Sequence, residues 1–228
     1  MVATLTPEQF EALRRVDSPT IANAIEGFKV RPRVAGYAGY DIQCAFPELG
    51  TMMGYAVTCT ADSTTESRPR TREGTINLWE AVATASKPVI IVLKDIGNAR
   101  LHSCHMGEVM ATTALRLGAI GAVSDGGLRD VNEVRALGFH YFCPGFTVSH
   151  GNPVIVDVGM EIEISGLVIK PGDLLHGDVN GLVKIPDEVV DKVMAEVEAV
   201  RQREGDFMAM VKAPEFRIEK LREYYMHH

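Results

Sequence analysis

The sequence predicts an α/β fold, with a parallel sheet in the middle of the chain and helices at both ends. Three patterns carry that expectation. Between Val89 and Cys143, three apolar runs rich in β-branched or aromatic residues (Val89–Leu93, Ala119–Val123 and Tyr141–Cys143) alternate with two segments of helical spacing, the signature of β-α-β-α-β. Near the start, Thr6-Pro7-Glu8-Gln9 forms a capping box with proline at the first helical position. Beyond Pro186, Val189, Val190, Val193, Val197 and Val200 make an apolar stripe at helical spacing.

In order along the chain, the capping box opens a helix in which Phe10, Leu13 and Arg14 share a face. Ser18-Pro19 starts a second in the same way, and Gly27 ends it. Residues 28–50 read as a long loop with a strand around Val34–Ile42; its Arg31 and Arg33 face water or reach an acidic ligand. Met53–Cys59 is a strand. Residues 61–74 are polar, with one proline and three arginines, and form a loop that serves as a lid or a subunit contact. Ile76–Ala85 is helical, with Trp79 on the core side. In the next helix Val109, Met110, Thr113, Ala114 and Leu117 share a face and Gly118 is the stop. Asp125-Gly126-Gly127 is the turn before the second helical segment, and Pro144-Gly145 turns near the same sheet edge.

Pro153–Val158, Glu161–Ile164, Leu167–Ile169 and Gly181–Ile185 are short strands between glycine-rich turns, an antiparallel half after the alternating one. Asp173 and Asp178 sit beside glycines, where turn chemistry accounts for them better than a metal does. The helix from Pro186 runs to about Glu204. After a break at Gly205-Asp206 comes a helical tail with Phe207, Phe216, Leu221, Tyr224 and Tyr225. The expected division is one domain over 1–205 and a tail over 206–228 that packs on a neighbouring subunit.

The formal net charge of −7 gives no basic footprint for nucleic acid. No apolar run reaches 18 residues, and the first ten residues lack a basic stretch followed by an apolar one. The expected setting is cytoplasmic, without membrane contact. Cys44, Cys59, Cys104 and Cys143 are scattered with no C-x-x-C pair, as reduced thiols are.

Candidate chemistry gathers where strands pass into helices. In parallel sheets ligands collect at the carboxyl ends of the strands, beside helix N-termini with open N–H groups. Glu108, Arg129, Asp130 and Glu133 fall at that edge. Clustered carboxylates repel unless a cation sits among them, and oxygen-only donors suit Mg2+ or Mn2+. Arg129 can clamp a carboxylate or carbonyl through two parallel N–H groups. The plainer alternative pairs Arg129 with Glu133 one helical turn on and leaves the carboxylates as helix caps.

Residues 104–108 offer helix N-terminal amides to a carboxylate, with His105 nearby as a donor. His102-Ser-Cys104-His105 supplies too few ligands for structural zinc, and no base is identified for Cys104 as a nucleophile. Neither a Walker loop nor G-x-G-x-x-G occurs, so no nucleotide cofactor is expected.

Glu108, twenty intervening residues, then Arg129-Asp130-Val131-Asn132-Glu133 resembles the acidic-x20-R-D-x2-acidic motif of the RraA-like family. Gly54-Tyr-Ala-Val-Thr58, Gly121-Ala-Val-Ser-Asp-Gly126 and Pro171-Gly-Asp-Leu-Leu-His-Gly-Asp-Val-Asn-Gly181 resemble it too, so the similarity spans roughly residues 18 to 190. The family usually has Asp where this chain has Glu108, and a loop richer in glycine than Arg100–Met106.

The resemblance implies a layered β/β/α sandwich, like the swivelling phosphohistidine domain, with N- and C-terminal helices. It implies a class II pyruvate aldolase that cleaves a 4-hydroxy-2-oxo acid such as 4-hydroxy-4-methyl-2-oxoglutarate or 4-carboxy-4-hydroxy-2-oxoadipate, and also decarboxylates oxaloacetate. By the same resemblance Asp130 binds Mg2+ (or Mn2+) directly while Glu108 and Glu133 hold its waters. Arg129 binds substrate oxygens, and Cys104, His105, Met106 and Gly107 surround its carboxylate. Arg129 and Asp130 are the expected catalytic pair, and the assembly is a homotrimer or a hexamer. Two other family readings stand beside this: a non-catalytic regulator of an RNA-degrading enzyme, and a lyase for another hydroxy or sugar acid. Such regulators can lack the last acidic residue of the motif, which is present here as Glu133.

Overall fold

The computed structural model of the chain describes residues 5–63 and 72–227. Thr6 caps α1 (Pro7–Arg14) as the capping box requires: its hydroxyl accepts from Gln9 N–H at 3.2 Å, and the Gln9 side chain accepts from Thr6 N–H at 2.9 Å. In α2 (Ser18–Gly27) the cap is Asp17 rather than Ser18; Asp17 Oδ1 accepts from Thr20 N–H at 2.9 Å. Ser18 is already inside the helix and gives its N–H to Asp178 Oδ2 at 2.8 Å.

The expected parallel sheet is present. Strands β2 (Met52–Asp62), β3 (Val89–Asp95), β5 (Ala119–Ser124) and β7 (His140–Cys143) run parallel in the spatial order β7-β5-β3-β2. The short β1 (Gln43–Cys44) closes the β7 edge antiparallel. On the other side the sheet turns antiparallel. The first half of β2 pairs with β11 (Leu174–Asp178), which pairs with β12 (Gly181–Ile185). The second half of β2 pairs with β8 (Val154–Val158).

Strand β3 shows why its sequence is apolar without alternation. Ile90 and Val92 pack under a hairpin of β9 (Ile162–Ile164) and β10 (Leu167–Ile169). Val89, Ile91 and Leu93 pack on the other face against α3 (Glu73–Thr84), α4 (Glu108–Arg116) and α5 (Val131–Ala136). Both faces are covered, so both must be apolar. Hairpin, sheet and helices make the β/β/α layers, and each fully buried aliphatic side chain in them contributes roughly 1.5–3 kcal/mol. A separate cluster joins α1 and α2 to Val193, Val197 and Val200 of α6 (Val193–Lys212).

Several expectations are corrected. No regular strand covers residues 34–42; the segment touches β12 only through an isolated antiparallel bridge of Tyr37 to Val183, with Ala38 N–H on Leu182 O, while Gly39 N–H bonds to Ser165 O. Strand β11 went unrecognised because His176-Gly177-Asp178 lacks the β-branched residues that mark a strand; pairing on both sides holds it regardless. The buried face of α4 is Ala111 and Ala114, small enough to seat the helix on the sheet, while Val109 points outward.

Helix α6 starts at Val193 rather than Pro186, although Val189 and Val190 are buried as expected. It runs through Gly205-Asp206 to Lys212, and the break falls between it and α7 (Ile218–His227). A single glycine in a helix costs about 1 kcal/mol, too little to end a 20-residue helix. Phe207 packs on Tyr224, with ring centroids 4.8 Å apart, so the tail's aromatics partly cover one another. Trp79 is half-buried against the helical-face core. The expected lid falls mostly on residues 64–71, outside the described residues. Among the described residues no helix is long and apolar enough to cross a membrane.

Candidate functional site

A two-stranded parallel ribbon brings the halves of the motif together. Strand β4 (Cys104–Met106) pairs with β6 (Gly127–Leu128), and each leads at once into its motif residues. From β4 the chain passes through Gly107 into α4, with Glu108 as the first helical residue. From β6 it passes through Arg129 and Asp130 into α5. Glu108 N–H donates to Asp130 Oδ2 at 3.0 Å, closing the two halves across 22 residues of chain. Arg129 Nε lies 3.5 Å from the same oxygen, and both side chains are about one-third exposed.

Two local features make this approach possible. Asp130 has φ 53° and ψ 46°, a left-handed conformation that Asp tolerates better than most residues, and it makes no side-chain cap on its own helix. Its carboxylate instead accepts from the first turn of α4. Gly107 has ordinary extended backbone, but a Cβ there would lie 2.5 Å from Asp130 Oδ2 and 3.1 Å from Arg129 Nε. Only a residue without a side chain lets the pair come so close.

Gly107, the residue before α4, supplies no cap of its own; Asp130 takes the Glu108 N–H, and Gly107 N–H has no partner among the described residues. Open amides at a helix start favour an anion. Glu108 and Glu133 are exposed, and neither is in an ion pair among the described residues. The alternative pairing of Arg129 with Glu133 does not form, because Arg129 precedes the helix and leans on Asp130.

Among the described residues no group of three His, Cys, Asp or Glu is arranged to hold a metal ion by itself. An ion that keeps its own waters asks for fewer direct protein ligands than that. Asp130 Oδ1 accepts no hydrogen bond among the described residues and can bind directly, while exposed Glu108 and Glu133 can accept from waters. Hard oxygen donors and a largely hydrated shell suit Mg2+ or Mn2+.

The expected role of His105 is corrected. Its side chain has no exposed area; Nε2 lies 2.9 Å from Asp95 Oδ2 and Nδ1 lies 2.8 Å from Ser124 Oγ. The ring faces the sheet because Cys104 and Met106, its neighbours on β4, take the other side of the strand. Each ring nitrogen is already engaged, so the ring donates to a ligand only by giving up one of these bonds. Cys104 is also buried; its thiol donates to Met106 O at 2.9 Å, and burial pushes its pKa up, so it is neither a zinc ligand nor an activated nucleophile.

The sequence reading missed Asp95, Ser63 and Ser124. Asp95 Oδ1 accepts from Ser63 Oγ at 2.9 Å and from Gly97 N–H at 2.7 Å. Burial alone would raise its carboxyl, but hydrogen bonds from His105 and Gly97 outweigh that and hold it below the usual range. The available signal was position: Asp95 ends an apolar strand at its carboxyl end. A cavity of about 490 Å³ lies nearby, lined by Arg72, Thr75, Cys104, His105, Met110 and His150 among others. Asp173 and Asp178 are structural as expected: Asp173 Oδ2 accepts from Lys170 N–H and Lys184 Nζ, and Asp178 from Ser18 and Asn180 N–H. Arg31 donates to Lys184 O at 2.8 Å, and Arg33 lies 3.3 Å from Glu26.

The family model described as RraA-like (Aldolase/RraA) matches residues 18–184. DlpA of Legionella pneumophila is 28% identical over 161 residues, 69% of this chain but 26% of its own length, so this chain spans about a quarter of that relative. A Halalkalibacterium halodurans protein named "Putative 4-hydroxy-4-methyl-2-oxoglutarate aldolase" is 30% identical over 146 residues, 64% of this chain and 67% of its own. Among solved structures, Streptomyces coelicolor RraAS2, described as an unusual member of the RNase ES inhibitor RraA protein family, superposes with a TM-score of 0.70. It is 22% identical, covering 91% of this chain and 98% of its own, a likeness of fold.

Proposed function

This chain belongs to the RraA-like family, and from that premise we propose that it is a divalent-metal-dependent lyase. The reaction is retro-aldol cleavage of a 4-hydroxy-2-oxo acid to release pyruvate, with oxaloacetate decarboxylation as the related reaction. The observation that carries the reading is the closure of Glu108 N–H on Asp130 beside Arg129 at the start of α4, where Gly107 adds no cap of its own. A carboxylate, a guanidinium and the amides of a helix start come together there, at the end of the β4–β6 ribbon.

Both reactions leave an electron pair on the pyruvate fragment, and the site must favour negative charge on its 2-oxo oxygen. Asp130 would hold the ion through its unengaged oxygen, with Glu108 and Glu133 accepting from the ion's waters. Bound there, Mg2+ or Mn2+ supplies Lewis-acid polarisation of the substrate's carbonyl and carboxylate. The N–H groups at the start of α4, Gly107's among them, orient the substrate carboxylate. Arg129 donates from its planar fork to substrate oxygens, a geometry lysine cannot match. Water carries the proton, so no side chain is assigned as the base. The apolar and basic lining of the adjoining cavity suits the remainder of an acidic substrate.

The experiment is pyruvate release from oxaloacetate and 4-hydroxy-2-oxo acids with and without Mg2+. Activity is expected only with the metal and is expected to vanish in excess EDTA. Full turnover in EDTA with metal content shown to be nil refutes the metal route. The rival reading is a non-catalytic regulator of an RNA-degrading enzyme, a kind of protein that can lack the last acidic residue of the motif, Glu133 here. It is favoured if Mn2+ binds and no 2-oxo acid is turned over.

A further inference from the structure

Both halves of the motif hang from one buried imidazole. His105 is the middle residue of β4, two positions before Gly107. Its Nε2 meets Asp95 Oδ2 at 2.9 Å at the end of β3, and its Nδ1 meets Ser124 Oγ at 2.8 Å at the end of β5. Asp95 is itself fixed, because Ser63 Oγ and Gly97 N–H occupy its other oxygen. Ser124 Oγ accepts from Gly126 N–H at 2.9 Å, which leaves its own proton for the ring. With a proton on Nε2 donated to Asp95 and the Ser124 hydroxyl donated to Nδ1, both ring nitrogens are satisfied.

The same ring meets the second half of the motif through Gly126. A Cβ on Gly126 would lie 2.8 Å from His105 Cε1 and 2.9 Å from Nδ1, so the turn passes directly against the imidazole. That turn leads into β6 and then Arg129-Asp130. The bonds of His105 fix β4 to the sheet, while its face sets where the 125–127 turn can run. The gap that closes with the 3.0 Å bond from Glu108 N–H to Asp130 is therefore defined from both sides by one side chain.

We infer that His105 is a positioning residue, which fixes the Gly107-Glu108 turn relative to the Arg129-Asp130 pair through its contacts with Asp95, Ser124 and Gly126. Its bearing on catalysis rests on the lyase reading above; its bearing on geometry does not. A buried hydrogen-bonded network of this kind rigidifies when every member is satisfied, and loosens when one is removed. Misplacing groups of a catalytic site by about 1 Å can cost on the order of 10²-fold.

The test uses the full chain and the variants His105→Gln and Ser124→Ala. Hydrogen exchange is followed for the segments containing residues 106–108 and 127–130, alongside kcat/KM for Mn2+-dependent oxaloacetate decarboxylation. In His105→Gln both segments are expected to exchange faster together while β2 and β11 keep their protection, and kcat/KM is expected to fall ten- to a hundredfold. A role in general stability alone would instead lower protection throughout. Combined with Gly107→Ala, which displaces the same pair, the two losses should be far from additive.

Should His105→Gln fail to fold, Ser124→Ala carries the test, with a smaller change in the same two segments. Unchanged exchange in both segments of either folded variant overturns the inference, as does kcat/KM within threefold of wild type in an active enzyme. Paired loosening in a chain that turns over no 2-oxo acid leaves the positioning role standing and removes the lyase reading.

Discussion

Replacing Gly107 with alanine isolates the approach of Asp130 to the start of α4. The new Cβ would lie 2.5 Å from Asp130 Oδ2, and ordinary contact begins near 3.4 Å, so the carboxylate must retreat by about 0.9 Å. The backbone at Gly107 (φ −140°, ψ −166°) is extended and open to alanine, so no strain is added there. The bond from Glu108 N–H, now 3.0 Å, is lost with the retreat. A displacement of this size in a positioned group costs on the order of 10²-fold in rate. Alanine is a poorer N-cap than glycine, by about 0.5–1 kcal/mol, which in a chain of this length moves Tm by only about 2–4 °C.

The assay is kcat/KM for Mg2+-dependent pyruvate release, with Mn2+ affinity by calorimetry and Tm by scanning calorimetry. Gly145→Ala is the control, since a Cβ there meets nothing within 4 Å. A hundredfold loss of activity with a nearly unchanged Tm is expected for Gly107→Ala, and no change for the control. If Gly107→Ala keeps kcat/KM within threefold of wild type and binds Mn2+ as before, the position of Asp130 does not matter to function and the reasoning fails.

Asp130→Ala is expected to abolish activity and Mn2+ binding together. Arg129→Lys should lose about 10²-fold in kcat/KM despite keeping its charge, because one ammonium cannot replace a planar fork; retention of most activity would make Arg129 structural. Asp95 titrates below the usual range in the folded chain, so its stabilisation is complete above the unfolded value of about 3.9 and is lost as pH falls through the lowered folded value. Urea unfolding at pH 7 and pH 3 should therefore show a smaller acid loss for Asp95→Asn than for wild type, and an identical loss would contradict the cited cause. Deleting residues 213–228, which removes α7 and leaves α6 whole, is expected to shrink a trimer or hexamer as read by light scattering; an intact, fully active assembly would show that the tail is not a subunit contact.

Local chemistry was legible wherever a few neighbouring residues decide the outcome. The Thr6 capping box, the apolar runs of β3, β5 and β7, the valine stripe of α6 and the turn bonds Asp173 and Asp178 take from Lys170 and Asn180 N–H all depend on short-range spacing. The acidic and Arg-Asp halves of the motif were legible for the same reason, but they stand at the end of the short β4–β6 ribbon rather than at the edge of the main parallel sheet. Tertiary contacts decided the rest. β11 is a strand because β2 and β12 flank it, although its own His-Gly-Asp composition argues otherwise. Helix α6 passes through Gly205 because the cost of one glycine is smaller than that of ending a long helix. His105 faces inward because Asp95, ten residues earlier, and Ser124, nineteen later, supply a partner for each ring nitrogen. A buried imidazole goes where its hydrogen bonds can be made, and residues that far apart in sequence become partners only when the strands carrying them lie side by side.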